Sequence, residues 1–150
     1  METTLIILKP DAVQRGLMGR IISRFEDKGL KIVAAKMMTI DRRLAERHYA
    51  VHKGKPFYNG LIQFMTSAPV LALAIRGERA IEVCRKMMGA TFSSKAEPGS
   101  IRGDFGIVDS FNLVHGSDGT DTAAAELELF FEAKQIRDYE RAIEPWVRAD

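Results

Sequence analysis

Apolar and polar positions along this chain fall into blocks that switch between a strand-like and a helix-like period. Thr3 to Leu8 is β-rich and runs into Lys9-Pro10, so a first strand ends there. Leu17, Ile21, Ile22 and Phe25 then recur at helical spacing, which predicts a helix over Leu17 to Lys28 with one buried face, closed by Gly29. Lys31 to Ile40 reads as a second strand. Asp41 is placed to cap a helix running to about His52, and a shorter helix covers Tyr58 to Thr66. Pro69 to Ile75 is an apolar strand bounded by Gly77, and Glu78 to Met88 is helical with Gly89 after it. Thr91 to Gly106, rich in Ser, Gly and Pro, reads as a long ordered loop, a feature that is usually functional inside a compact domain. A fourth strand leads into His115. Thr120 to Phe131 reads as a helix with a good capping start, and the mostly polar segment from Ala133 to Asp150 is expected to be pinned by Trp146 to the body or to a neighbouring subunit. There is no internal repeat. Two β-α-β-like units with a return strand predict an α/β (α+β) sandwich, a four-stranded antiparallel sheet covered by helices.

Composition narrows the class. The 150 residues suit one domain with one core, spanning 1–150. The net charge of +2 is too mild to imply nucleic acid, yet leaves room for a local basic pocket facing an anion. Cys84 is the single cysteine, so no internal disulfide forms, and it reads as a buried small apolar residue. No targeting segment and no bilayer-length apolar run is visible, so a cytoplasmic protein without a membrane partner is expected.

The chemistry centres on Asn112-Leu113-Val114-His115-Gly116-Ser117-Asp118, where a histidine ends a short β-like stretch and the chain passes into small polar residues. A neutral imidazole held there is a general base or a nucleophile. Lys9, Arg85 and Arg102 stand at element ends or in the long loop and suit phosphate oxygens, with Thr91 and Asn112 adding neutral hydrogen-bonding groups. Together they could surround a polyphosphate facing the imidazole; spacing alone leaves the two roles of the histidine open.

Four stretches then resemble one family. They are Leu8-Lys9-Pro10-Asp11-Ala12-Val13-Gln14-Arg15-Gly16; His48-Tyr49 with Lys55-Pro56-Phe57; Pro98-Gly99-Ser100-Ile101-Arg102-Gly103-Asp104-Phe105; and Asn112 to Asp118. In order and spacing, across nearly the whole chain, they are similar to the motifs of nucleoside diphosphate kinases. The resemblance implies a ferredoxin-like fold and ping-pong transfer of a γ-phosphate, mainly from ATP, to a nucleoside diphosphate through a phosphohistidine. His115 matches the nucleophile and Lys9 the lysine on the transferring phosphate. Tyr49 matches the tyrosine beside the site, and Arg85, Thr91 and Arg102 the phosphate-binding residues. Asn112 matches the group on the sugar hydroxyl, and Phe57, with Leu61 near it, the aromatic under the base. Ser117 and Glu126 match the residues that orient the histidine. The resemblance also implies Mg²⁺ carried on the nucleotide's phosphates rather than in a protein cage, and a homo-oligomer, hexamer or tetramer.

The chain departs from the family in places. Phe92-Ser93-Ser94 replaces a more usual Asn-Pro, Glu97 a common lysine, Ser100 a threonine and Gly119 a serine. Asp109 stands where an apolar wall of the base clamp is common, with Val108 or Phe111 as substitutes. Other signals read blandly. His48 and His52 have the spacing of a metal pair but no evident third ligand, so a solvated helix face is expected. Asp104-Phe105-Gly106 imitates a protein-kinase signature by chance, Met37-Met38 and Met87-Met88 read as core filling, and His115, Ser117 and Asp118 are too close along one strand to form a hydrolase triad. The alternatives are a non-catalytic nucleotide- or RNA-binding module, for which stacking aromatics are lacking, and a regulatory scaffold, against which Lys9, Arg102 and His115 argue.

Overall fold

Strand β1 (Glu2–Leu8) is the axis of the molecule, and its sequence explains why. Leu5, Ile6, Ile7 and Leu8 are all fully buried, which requires helices on both faces of the sheet. In the computed structural model, which describes residues 1–149, β1 pairs with β3 (Val70–Gly77) on one side and β4 (Val114–Gly116) on the other. Strand β2 (Lys31–Met38) pairs with the outer side of β3, giving the antiparallel order β2-β3-β1-β4. This is the expected ferredoxin-like sheet, in which each β-α-β unit is split by a strand of the other.

Alternation along β1 sorts two cores. Leu5 and Ile7 face a cluster with Ala45, Tyr49, Ile62, Met65, Leu127 and Phe130. These come from or adjoin α3 (Arg42–His48), α4 (Tyr58–Thr66) and α7 (Thr120–Phe130). Ile6 and Leu8 face Ala12, Ile21, Phe25, Cys84, Met88 and Ile101. Those side chains belong to α1 (Pro10–Gln14), α2 (Met18–Asp27), α5 (Ala80–Met88) and α6 (Ile101–Phe105). Cys84 is buried, as its sequence context implies.

Several boundaries differ from the sequence reading for local reasons. Asp41 does cap α3, accepting from Leu44 N at 2.8 Å, an interaction worth about 1 kcal/mol. The helix nevertheless stops at His48, and a 3₁₀ turn follows over Ala50–His52. The long loop holds a 3₁₀ turn at Ser93–Lys95 and the short helix α6, whose N-cap Ser100 accepts from Gly103 N at 3.0 Å. Helix α7 starts after Gly119 with no side-chain cap, contrary to the good capping start read from sequence. Met37 is about half exposed at 53% and does not fill the core, because β2 is the sheet edge, whereas Met88 is buried.

The final segment, including α8 (Glu144–Val147), is held by charge rather than by its aromatic residue. Trp146 is 87% exposed and does not pin the segment to the body. Lys31, buried on β2, instead pairs with Asp138 at 2.7 Å and Glu144 at 3.2 Å. Arg141 donates to the Gly29 and Leu30 carbonyls at 2.9 and 3.0 Å, where they leave α2. Among the described residues, no helix is long and apolar enough to cross a membrane.

Candidate active site

His115 sits in the middle of β4, directly across from Ile7, and cross-strand partners share a face. Its ring therefore enters the layer formed by α3 and α7. The flanking residues turn to the other side, where a Cβ built on Gly116 would lie 2.6 Å from Met88 Sδ and 3.1 Å from Ile6 Cδ1. Any other residue after His115 would have to push the Met88 side chain aside. Just before the strand, Leu113 is held at φ 72°, a left-handed conformation costly for a leucine. Its N–H donates to Asp11 Oδ2 at 3.1 Å and its carbonyl accepts from Lys9 N at 2.8 Å, so the end of β1 fixes the turn that presents β4.

His115 Nε2 lies 2.9 Å from one oxygen of Glu126 and 3.2 Å from the other. Facing a carboxylate, that nitrogen carries the proton and Nδ1 keeps the lone pair. Burial works against ionising Glu126, but the hydrogen bond and charge of His115 outweigh it and hold the carboxyl below its ordinary pKa. Ser117 is fully buried beside the pair; its Oγ makes no well-formed hydrogen bond, though its nearness to Glu126 favours the carboxylate. Tyr49 is buried with its ring centroid 6.5 Å from that of His115, and burial followed by the Glu126 charge keeps the phenol neutral.

A second group lies along the loop edge. Lys9 Nζ donates to Asn112 Oδ1 at 2.7 Å, and Asn112 Nδ2 donates to the Thr91 carbonyl at 2.8 Å. Arg102 is buried and gives three bonds to backbone carbonyls: Asn112 at 3.0 Å, Gly89 at 3.0 Å and Val114 at 2.6 Å. Arg85 donates to the Gly116 carbonyl at 3.0 Å and is otherwise exposed. The structure thus gathers Lys9, Arg85, Thr91, Arg102 and Asn112 around β4, a convergence that spacing along the chain left open. A cavity of about 600 Å³ lies beyond Arg85, lined by Glu2, Glu82, Asp118 and Thr120 among others; His115 does not line it.

Burial and the Arg102 charge, partly opposed by Asp11, lower the Lys9 ammonium from 10.5 to about 8. If its charge is required, kcat/KM of the free protein falls above about pH 8, which a pH–rate profile checks; a flat profile through pH 10 would show that the charge is dispensable. The stability term has the opposite sign. The folded chain releases this proton before the unfolded one does, so Lys9 adds stability as pH rises from about 8 to 10.5.

Phe57 is 53% exposed, with its ring 5.2 Å from His52 and Lys55 Nζ 5.8 Å from its centroid. Leu61 is half-buried and packs on the core below. Asp109 is engaged elsewhere: its carboxylate accepts from Ser94 N at 2.8 Å and Ser94 Oγ at 3.0 Å, which holds it below the usual carboxylate range. Val108 and Phe111 remain exposed, the latter against Phe64 with centroids 4.9 Å apart. Asp104 also has a structural task, accepting from Gly99 N and pairing with Arg24, so its kinase-like triplet needs no catalytic explanation.

His48 overturns its sequence reading. Its side chain is 1% exposed, not solvated, and its partners are His115 and Glu126 rather than His52. Nδ1 lies 3.2 Å from Glu126 Oε2, and the ring meets His115 edge-on with centroids 4.6 Å apart. Burial, then the neighbouring His115, depress its pKa to about 3 against the pull of Glu126. The signal was present in the helix period: Ala45, His48 and Tyr49 form the inward stripe of α3 and the residue after it. His52 lies outside the cluster, its Nδ1 3.1 Å from Lys55 Nζ.

Comparison with known proteins identifies the fold and the family. The sequence model of the family described as nucleoside diphosphate kinase matches residues 2–136. A nucleoside diphosphate kinase of Desulforamulus reducens is 52% identical over 147 residues, covering 98% of this chain and 99% of the relative. The halophilic enzyme of Halobacterium salinarum, solved in complex with CDP, superposes with a TM-score of 0.96 at 47% identity, covering 99% of both chains. The Borrelia burgdorferi enzyme, solved as a transition-state mimic with vanadate and ADP, superposes at 0.92 with 38% identity, covering 97% of this chain and 96% of that one. Matched by the family model over residues 2–136 and 52% identical to a curated relative over nearly its full length, the chain belongs to the nucleoside diphosphate kinase family.

Proposed function

We propose that this nucleoside diphosphate kinase works by ping-pong transfer through a phosphohistidine at His115. The observation that carries the reading is the Nε2 contact to Glu126, which leaves Nδ1 as the free nucleophile. Nδ1 attacks the γ-phosphorus of a nucleoside triphosphate, mainly ATP, and the bond to the β-phosphate oxygen breaks. The diphosphate leaves, a second one enters, and its terminal oxygen attacks the same phosphorus as the P–N bond breaks. Charge spreads over the equatorial oxygens of the transferring group, so fixed cations stabilise it. Lys9 meets the transferring phosphate, with Arg85, Thr91 and the two uncommitted N–H groups of Arg102 around the rest. Asn112 keeps one N–H for a sugar hydroxyl, and Tyr49 packs beside the nucleophile.

Mg²⁺ supplies charge neutralisation across the phosphates when bound. Asp11 Oδ2 accepts from Leu113 N and Glu126 holds His115, so neither carboxylate offers both its oxygens to an ion, and this donor set fits a cation held by nucleotide oxygens. The shared sheet supports reading residues 1–150 as one domain. Family resemblance implies a homo-oligomer, hexamer or tetramer, and the reading is completed by a cytoplasmic location, where the enzyme would maintain nucleoside triphosphate pools.

The base would stack on Phe57 with Leu61 beneath. Relatives solved with CDP and with ADP support tolerance of different bases, since every base offers a π-face. Phe57→Ala is expected to raise KM about tenfold for every diphosphate while sparing kcat, in line with about 1–3 kcal/mol per stacked base. Steady-state kinetics on four diphosphates check this, and a loss confined to one base would refute generic stacking. The mechanism is tested by incubating the protein with γ-³²P-ATP and Mg²⁺, then adding a nucleoside diphosphate. Acid-labile, base-stable label that chases onto the diphosphate is the expected result. Bound ATP with no label would return the chain to a binding or scaffold role.

A further inference from the structure

His48 is the part of the site that phosphate transfer leaves without a task. Both its ring nitrogens are buried and make no well-formed hydrogen bond, although Nδ1 stands 3.2 Å from Glu126 Oε2. A buried unpartnered polar group beside a nucleophile calls for an explanation, and an ion is one. His48, His115 and Glu126 each offer a ligand atom, all within 4.8 Å of one another. The separations from Glu126 Oε2, 3.2 Å to His48 Nδ1 and 2.9 Å to His115 Nε2, approach the edge of a tetrahedron with metal bonds near 2.0–2.1 Å, about 3.3 Å. Two imidazoles and one carboxylate, with a fourth position left for water, form the donor set of an open zinc site.

We infer that the unphosphorylated protein binds a transition-metal dication of the Zn²⁺ class at His48, His115 and Glu126, and that this ion blocks phosphate transfer. Nitrogen donors select against Mg²⁺, which prefers oxygens, so the ion does not compete with the Mg²⁺ on the nucleotide. For the ion to take His115 Nε2, the proton now shared with Glu126 must leave it. That proton moves to Nδ1, where it occupies the attacking lone pair. Glu126 turns from orienting the imidazole to holding the metal. Binding stands on geometry alone, whereas the block rests on His115 being the nucleophile.

The test titrates the full, unphosphorylated chain with ZnCl₂ by calorimetry and with CoCl₂ by visible absorption, beside His48→Gln, His48→Phe and Glu126→Gln. One equivalent of Zn²⁺, an intense tetrahedral Co²⁺ spectrum, and at least about tenfold weaker binding in the variants are expected. Ring ¹⁵N resonances of both His48 and His115 in the wild-type chain should shift together, a readout that needs no variant to fold. Absence of binding at 100-fold excess metal, an octahedral Co²⁺ spectrum, or ¹⁵N shifts confined to one histidine would overturn the site. Stoichiometric Zn²⁺ with undiminished Mg²⁺-ATP turnover would overturn the block while sparing the site. Loss of ³²P labelling without any metal present would instead count against the nucleophile assignment.

Discussion

His115→Ala is expected to lower nucleoside diphosphate kinase turnover by at least about four orders of magnitude and to abolish acid-labile labelling. The reason is that nothing in the site replaces a nucleophile. Tyr49 is held neutral by burial, Lys9 donates to Asn112, and His48 is buried with its Nδ1 aimed at Glu126. The fold should survive, since His115 is half-buried and its backbone pairing with Ile7 needs no side chain. A modest fall in Tm is still expected, because the buried Glu126 loses its nearest hydrogen-bond partner. Glu126→Gln supplies the contrast. Its amide oxygen can still accept from Nε2, so turnover should fall by only about 10–100-fold, with label retained. Quench-flow and circular dichroism on the two variants distinguish the cases. Label persisting in His115→Ala would move the nucleophile elsewhere and dismantle the mechanism.

How much of this was legible in the sequence depends on the range of the interaction. β1, α2 and α5 were readable because a strand buried on both faces is continuously apolar and a one-sided helix repeats its apolar residues at helical spacing. α1 was hidden because Pro10, read as the end of a strand, also sits at the first turn of a helix, where its missing N–H costs nothing. α6 was hidden by Pro98, Gly99 and Gly103, which mimic a loop although Ser100 caps a real turn. Trp146 was misread because an aromatic ring in a polar tail suggests an anchor, while the actual anchors, Lys31 and Arg141, look like ordinary surface charges.

The site divides in the same way. The types of Lys9, Arg102, Asn112 and His115 suggested phosphate chemistry, and the family motifs supplied their roles. That Lys9 bonds Asn112, 103 positions away, is set by the β1–β4 pairing, which no local pattern encodes. The motif reading gave Arg102 a task on phosphate alone; the structure adds three bonds to backbone carbonyls that no motif announced. Asp109 is the reverse case, a polar residue at an expected apolar wall whose engagement with Ser94 only coordinates reveal.

Arg102→Ala is accordingly expected to unfold the site as well as weaken nucleotide binding. Three buried carbonyls, on Gly89, Asn112 and Val114, would lose their common donor. Each bond is charge-assisted, and each orphaned acceptor carries a desolvation penalty, so a loss of about 3–5 kcal/mol is expected even after relaxation. Against a total stability of about 5–15 kcal/mol this is large, and it corresponds to a fall in Tm of about 10 °C. Burial and the Arg85 charge, partly opposed by Asp11, already depress the guanidinium to about 10, so the structure bears a cost to keep a cation there. Arg102→Lys separates the two tasks. It keeps the charge for phosphate but lacks the planar fork, so it should recover part of the KM effect and little of the melting temperature. Thermal denaturation without nucleotide, set beside KM for ATP, reads the two independently. Full thermal rescue by lysine would mean that charge, not the fork spanning three carbonyls, holds β4 and His115 in place.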